Sequence, residues 1–362
     1  MNWCRGVQCR CVRLKRCCSK QLYGHPCISL IPLSRTAPSP DRFRNLIHAK
    51  ARFSMSSLVN RPVSRAIVHR AASAGGPFAQ ARPRRCRSVA AMASGGKPGR
   101  VIALDFDGVI CDSVGESSLT AFKAAALQWP EVFATPEAEA AKPKLVEQMR
   151  VVRPVVETGY ENTVQIRALY EGVAVDDMLA RWHSGMLDDL MVKWALDRKE
   201  MVHAFGRVRD DWIAADLAGW LAPNRIYPGV ADAMRAALAG GDEVYIVTTK
   251  QARFTHTLLR DMAGIDFPMD RIHSTTVSGE PKSGVLARLM AQHPGAGGYV
   301  FVEDKFTTLE KVIAAPETAG KWGLFLVDWG YNTVDERAAA AGSPHIELIG
   351  GDRFAQLMAG TA

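Results

Sequence analysis

From residue 101 onward the apolar positions follow two rhythms. Residues 101–104 form a short apolar run, closed by Asp105, Asp107 and a turn at Gly108. Such a run predicts a buried strand rather than a core helix. Between Gly115 and Arg225 the apolar spacing lengthens to three and four, over 117–128, 143–150, 162–170, 175–194, 200–205 and 209–220. These stretches predict helices, closed off by Pro223 and Asn224. Strand-like runs then return at 243–247, 271–275, 299–302, 323–327 and 346–349, with helical text over 228–239, 252–262, 284–292 and 309–313. Strands alternating with helices predict an α/β fold with a parallel sheet covered on both faces. The predicted core is 98–113 together with 226–362, interrupted by an all-helical insertion over 114–225.

Charge divides the chain differently. Residues 1–100 hold 20 of the Lys and Arg residues and one acid, Asp41, leaving 25 basic against 36 acidic residues in 101–362, a net of −11. Seven of the eight cysteines also fall in the first hundred, and only Cys111 lies beyond. An Arg- and Ser-rich, acid-poor leader without apolar periodicity has the composition of an organellar transit peptide, expected over 1–92. Val89-Ala90-Ala91 resembles a plastid cleavage site, so the chloroplast stroma is the expected destination and the mitochondrion the alternative. No apolar segment suits a secretory signal or a bilayer span. Cys4, Cys9, Cys11, Cys17 and Cys18 stand in Arg-rich text without a folding pattern, which argues against a metal cluster. The acidic remainder gives no reason to expect nucleic acid or membrane as a partner. There is no G-x-S-x-G, no P-loop and no complete G-x-G-x-x-G, so serine hydrolases, P-loop enzymes and dinucleotide oxidoreductases have no support.

In open parallel sheets ligands sit beyond the carboxyl ends of the strands. The polar residues that follow the predicted strands form a set: Asp105 and Asp107, Thr248 and Thr249, Lys282 at a helix start, Glu303 and Asp304. Strand alternation sends Asp105 and Asp107 the same way. Two like charges so close are used by a cation or by phosphate chemistry. A carboxylate can attack phosphorus, a second can move the proton of the leaving oxygen, and lysine and hydroxyl groups can hold phosphate oxygens. Mg²⁺ takes oxygen ligands and needs only a few carboxylates beside a phosphate. Acid pair, hydroxyls, lysine and acid pair together suit phosphoryl transfer with a hard cation.

The runs D-F-D-G-V-I-C-D-S, I-V-T-T-K, E-P-K-S-G-V-L and F-V-E-D-K, in this order, resemble the four motifs of the haloacid dehalogenase (HAD) superfamily. The helical insertion resembles its helical cap, and the match covers about residue 100 to the end. The resemblance implies a Rossmann-like parallel core of the HAD fold, with Asp105 as nucleophile and Asp107 as general acid/base. It implies Thr248 and Lys282 as phosphate contacts, with Thr249 lending its backbone N–H. Asp105, Asp107, Glu303 and Asp304 are then the candidate ligands of Mg²⁺. Dehalogenases of the superfamily lack the second aspartate, so Asp107 favours phosphoryl transfer. The implied activity is a Mg²⁺-dependent phosphatase acting on a small phosphorylated molecule through an aspartyl-phosphate. A phosphomutase, or a binding protein that keeps the motifs without turnover, are the alternatives. V-R-P-V-V-E-T-G-Y-E, N-R-I-Y-P-G-V and W-G-Y-N-T look like a plant and algal plastid branch.

The four motifs meet only phosphate and metal, so the leaving group must be read elsewhere, and the insertion is the candidate. Pro154 and Gly159 interrupt its helical text and predict a bend over 152–161. Arg153 there is a candidate for an anionic leaving group, with Glu157 or Tyr160 for a hydroxyl. The competing reading pairs Arg153 with Glu157 as a structural connector. Lys250, Arg253 and the Trp329-Gly330-Tyr331 turn either border the site or serve as surface charge and packing.

Overall fold

Val101–Leu104 forms β1 at the centre of the fold, and all four side chains are fully buried. The computed structural model describes residues 99–361; the expectations for 1–92 and for the leader cysteines lie outside the described residues. After β1 a tight turn leads to β2 (Cys111–Asp112) and then into helical chain. That chain comprises α1 (Val114–Gln128), α2 (Pro130–Phe133), α3 (Pro136–Val152), α4 (Glu161–Tyr170), α5 (Val175–Arg181), α6 (Met186–Lys193), α7 (Arg198–Ala215) and α8 (Leu217–Leu221). It returns through β3 (Arg225–Ile226), which pairs antiparallel with β2, Cys111 opposite Ile226 and Asp112 opposite Arg225. This two-stranded ribbon gathers both ends of the insertion at one point beside the end of β1.

The remaining chain alternates. It runs through α9 (Val230–Ala239), β4 (Glu243–Thr248), α10 (Ala252–Ala263), β5 (Ile272–Ser274), α11 (Thr275–Ser278) and α12 (Lys282–Gln292). It ends with β6 (Tyr299–Glu303), α13 (Phe306–Ala314), β7 (Gly323–Val327), α14 (Val334–Ala341), β8 (Ile346–Ile349) and α15 (Gly351–Met358). Six strands form one sheet in the order β5-β4-β1-β6-β7-β8, and every pairing is parallel. The fold is therefore the expected Rossmann-like α/β sheet. With β4 on one side of β1 and β6 on the other, the strand order switches sides at β1, and a crevice opens there at the carboxyl ends.

The period-two rule accounts for the two cores. Ile102, Leu104, Val244, Ile246, Val300 and Val302 pack on one face with Met234, Phe254 and Phe354. Val101, Ala103, Tyr245, Val247, Phe301 and Leu326 pack on the other with Leu286, Leu289 and Leu309. Each fully buried aliphatic side chain contributes roughly 1.5–3 kcal/mol, so the central strands are the least able to move. The insertion has its own core, built on Phe122, Phe133, Met149, Val164, Trp182 and Phe205.

Several helix bounds differ from the periodic reading. The helix predicted from 143 begins at Pro136 instead, capped by the Thr135 hydroxyl, which accepts the Ala138 N–H at 3.2 Å. Pro143 inside it lacks the N–H that would bond back one turn, and the buried face of Leu145, Met149 and Val152 overrides that local penalty. The stretch 175–194 is not one helix: Gly185 takes φ +108° and separates α5 and its short 3-10 extension from α6. Conversely, 200–205 and 209–220 merge through Gly206 into α7, and the break falls at Asp216, whose carboxylate caps α8 by accepting the Gly219 N–H.

Candidate active site

Asp105 ends β1, and its backbone N–H continues the ladder by donating to the Val302 carbonyl at 2.9 Å. The chain then closes on itself: the N–H groups of Ile110 and Cys111 both donate to the Phe106 carbonyl, and Gly108 N–H donates to the Cys111 carbonyl. Gly108 has φ +88°, and a Cβ there would stand 1.9 Å from Asp304 Oδ2. The glycine is thus required twice, for the turn and for the approach of the fourth-motif carboxylate.

Asp105, Glu303 and Asp304 bring one carboxylate oxygen each to within 4.8 Å of one another, all buried. Lys282, the first residue of α12, sets its ammonium 2.7 Å from Glu303 Oε2 and 3.1 Å from Asp105 Oδ1. The second approach is an ion pair, and Lys282 is the one side chain paired with Asp105 Oδ1 among the described residues. Burial, with repulsion from Asp304 and Asp107, raises the Asp105 pKa against the pull of Lys282. Burial also pushes Glu303 well above the carboxylate range, Lys282 notwithstanding. Lys282 itself is raised, because Asp105 and Glu303 outweigh the desolvation that would lower it.

The group suits a hard cation. Three buried carboxylates converge, all donors are oxygens, and Lys282 pairs with only two of them, Asp105 and Glu303. Tyr331 N–H donates to Asp304 Oδ2 at 2.8 Å and leaves the other oxygen free to ligate. Glu303 is more occupied: besides Lys282 it accepts the backbone N–H groups of Asp304 and Lys305. Asp107, expected among the ligands, is not in this cluster of oxygens. Its carboxylate is taken up by Lys250 Nζ at 3.0 Å and the Ser113 hydroxyl at 2.5 Å. Burial would raise its pKa, but Lys250, Arg153 and Ser113 overcome that and hold it below the usual range.

The insertion reaches the same place through its bend. Arg153 is 8% exposed, stacks its guanidinium 4.0 Å from the centre of the Tyr331 ring and donates to the Val156 carbonyl at 3.2 Å. Its Nε has no partner. It does not pair with Glu157, which lies 3.4 Å from Lys311 on α13 instead. Glu161 holds the bend from inside by accepting the Glu157 and Thr158 N–H groups and the Trp182 indole N–H. Two bonds tie the bend to the sheet side: Thr249 Oγ1 donates to the Glu157 carbonyl at 2.9 Å, and Lys305 Nζ donates to the Pro154 carbonyl. A chamber of about 190 Å³ results, lined by Asp105, Asp107, Arg153, Lys282, Asp304 and Lys305 among others.

Seven of the eight candidate residues therefore reach this chamber: Asp105, Asp107, Thr249, Lys282, Glu303, Asp304 and Arg153 all line it. Thr248 does not. Its buried hydroxyl accepts the Lys250 N–H at 3.1 Å, which shapes the loop after β4. Sequence reasoning left Lys250 undecided and passed over Ser113 and Lys305. Tyr331 was placed no nearer than a bordering turn, yet its hydroxyl accepts the Ser113 and Val114 N–H groups and donates to Asp112. Lys250 and Lys305 each follow a motif acid or hydroxyl directly, and that adjacency was the available signal.

No family model matches the chain, and no curated protein matches it. Among solved structures it is similar to a predicted phosphatase from Clostridium acetobutylicum, at 15% identity over 73% of this chain and 99% of that one, with a TM-score of 0.43. It is also similar to a predicted phosphoglycolate phosphatase from Haemophilus somnus, at 16% identity over 73% of this chain and 98% of that one, with a TM-score of 0.44. Neither likeness decides what this chain does.

Proposed function

We propose that this protein is a Mg²⁺-dependent phosphatase of the HAD type, hydrolysing a small phosphomonoester through an aspartyl-phosphate on Asp105. The observation that carries it is the buried Asp105 carboxylate, its Oδ1 met by Lys282 at 3.1 Å, facing Asp107 across one chamber. Asp105 attacks phosphorus and the ester oxygen departs, taking a proton from Asp107; Asp107 then removes a proton from water, which hydrolyses the acyl phosphate. Asp107 rests ionised, so the first proton must arrive with the substrate, whose negative charge raises its pKa and competes for Lys250. Lys282 holds Asp105 in place and faces the transferring oxygens. Asp105, Asp304 and, less freely, Glu303 would hold the Mg²⁺, which neutralises the charge of substrate and nucleophile together. Arg153 closes the chamber from the insertion side and supports recognition of the substrate.

The decisive experiment is hydrolysis of a generic aryl phosphate with Mg²⁺ and after chelation. Turnover that needs the metal and disappears in Asp105→Asn, with the fold retained, is expected. Full turnover in Asp105→Asn would end the mechanism. Retained binding of phosphate without any turnover in the unaltered protein would favour a non-catalytic binding role.

We further propose, from 20 basic residues against one acid in 1–100, that residues 1–92 address the protein to the plastid. A protein beginning at Ser94 is expected to fold and keep full activity, and a fluorescent fusion to 1–92 to enter chloroplasts. Loss of folding on truncation, or uptake by mitochondria, would overturn it.

A further inference from the structure

Beside the reaction chamber lies a second, larger space of about 830 Å³. Glu157, Thr249 and Pro281 line both, so the two meet along the bond between Thr249 and the Glu157 carbonyl. One wall is a single face of α7, made by Arg198, Lys199, Val202, His203, Gly206 and Arg207. Residues at that spacing share one side of a helix. Gly206 brings the opposite wall close, since a Cβ there would stand 3.1 Å from Gln251 and 3.3 Å from Arg253.

The charge of this cleft runs against that of residues 101–362. Residues 101–362 carry a net −11, yet the acids lining the cleft are already satisfied. Asp210 pairs with Arg253 at 2.8 Å, Glu280 with Arg288 at 3.0 Å and Glu157 with Lys311 at 3.4 Å. Arg198, Lys199 and Arg207 have no ion pair among the described residues, and Arg198 only leans towards the Tyr160 ring at 5.7 Å. From Arg198 to Arg207 the helix advances about 13 Å at roughly 1.5 Å per residue. A row of uncompensated cations of that length, opening from a phosphate-sized chamber, matches an extended anion rather than a neutral leaving group.

We propose that this cleft holds a second phosphoryl group of the substrate, making the substrate a small molecule phosphorylated at two positions. One phosphate enters the chamber at Asp105, and the other is held by Arg198, Lys199 and Arg207. A phosphoryl dianion meets several cations at once and takes paired N–H bonds from arginine, which a single carboxylate does less well. The inference rests on the chamber being the phosphate site of the proposed phosphatase. It assigns the specificity of that site to a helix face that carries none of the four motifs.

The test is binding of inorganic tripolyphosphate and of orthophosphate by calorimetry. It compares the full-length protein with its Arg198→Gln/Arg207→Gln variant, both side chains being exposed and outside the cores. Each exposed ion contact is worth up to about fivefold in affinity. Tripolyphosphate binding is therefore expected to weaken on the order of tenfold and to lose much of its salt dependence, with orthophosphate binding unchanged. Equal weakening for both anions, no change for tripolyphosphate, or no tripolyphosphate binding by the unaltered protein would overturn the proposal. Aryl phosphate turnover by the unaltered protein is measured alongside. Its absence would defeat the phosphatase reading while the binding comparison still decides the cleft.

Discussion

Lys250 sets its ammonium 3.0 Å from Oδ1 of Asp107, and both groups are withdrawn from solvent. The contact fixes the resting charge of the proposed acid/base. Burial alone would raise Asp107, but Lys250 first, then Arg153 and the Ser113 hydroxyl, keep it below the ordinary carboxylate range. The free protein thus holds Asp107 as a base, and a proton for the leaving oxygen is gained only when phosphate charge enters.

Lys250→Met removes the largest of these stabilising charges, so the Asp107 pKa should rise. The acidic limb of the kcat/KM profile for an aryl phosphate should move to higher pH, and its maximum should fall by about 10²-fold, in the range of one lost electrostatic group. The sign for stability follows from linkage. A depressed folded pKa contributes stability above the unfolded carboxylate range and loses it as pH falls through the folded pKa. The stability difference between Lys250→Met and the unaltered protein should then be largest near neutrality and vanish in acid. An unmoved acidic limb would separate Lys250 from Asp107.

The carboxylate cluster of Asp105, Glu303 and Asp304 has the opposite sign. Burial, then repulsion from Asp304 and Asp107, raises Asp105, and burial raises Glu303 further. Groups with raised folded pKa values contribute stability that is complete at low pH and lost as pH rises through the folded value. The metal-free protein should therefore lose stability from mild acid toward neutrality as these groups ionise. Millimolar Mg²⁺ should reverse that loss, raising Tm more at pH 8 than at pH 5. Asp304→Asn should abolish the Mg²⁺ response in a thermal scan. A Tm shift that is independent of pH, or one that survives Asp304→Asn, would remove the metal from this cluster.

Much of this was legible beforehand because the deciding features are local. The apolar runs at 101–104 and 323–327 are strands with those same bounds, since a strand buried on both faces leaves a nearly unbroken apolar signature, and 346–349 keeps its bounds at the sheet edge, where Glu347 is exposed. The acids and lysine after the strands could be found because strand ends in a parallel sheet converge. The rest has a different physics. Thr248 reads as a phosphate contact from its motif, and its hydroxyl oxygen accepts the Lys250 N–H in the loop after β4. Pro143 and Gly206 look like helix boundaries, yet long-range packing carries both helices through. α14 and α15 were not foreseen: α14 is mostly Ala with few apolar marks, although its capping box of Thr333 and Glu336 was readable. Contacts such as Lys250 with Asp107 and Arg153 with Tyr331 join distant segments, and no periodicity announces them.

Gly108 and Gly172 allow a test of the close approach at the site, because both have left-handed φ near +90° but differ in surroundings. A Cβ at Gly172 meets nothing within 4 Å, whereas one at Gly108 meets Asp304 at 1.9 Å. Gly172→Ala should cost only the backbone strain, about 1 kcal/mol. Gly108→Ala should cost at least about 2 kcal/mol more, because Asp304 must move and leave its Tyr331 N–H bond. It should also weaken the Mg²⁺ response, which Gly172→Ala leaves intact. Equal unfolding free energies in urea would mean that the turn tolerates displacement of Asp304.

Arg153 is one of the insertion residues that line the chamber, and its surroundings set what its loss must do. Its guanidinium lies on the Tyr331 ring, bonds the Val156 carbonyl and leaves Nε without a partner. A buried cation with so few hydrogen bonds gains little for the fold, and under the proposed function a substrate anion would complete it. Arg153 also lowers Asp107, so Arg153→Ala has two separable effects. The acidic limb for a small aryl phosphate should shift slightly upward with its maximum nearly kept. For a physiological substrate found by screening phosphorylated metabolites, KM should rise by roughly 10–100-fold, the value of one or two charge-assisted hydrogen bonds. The Lys substitution keeps the charge without the planar stack or the paired geometry, and should recover the aryl profile but not the KM. An equal loss for both substrates, accompanied by a fall in Tm, would mean that Arg153 braces the bend rather than reading the substrate.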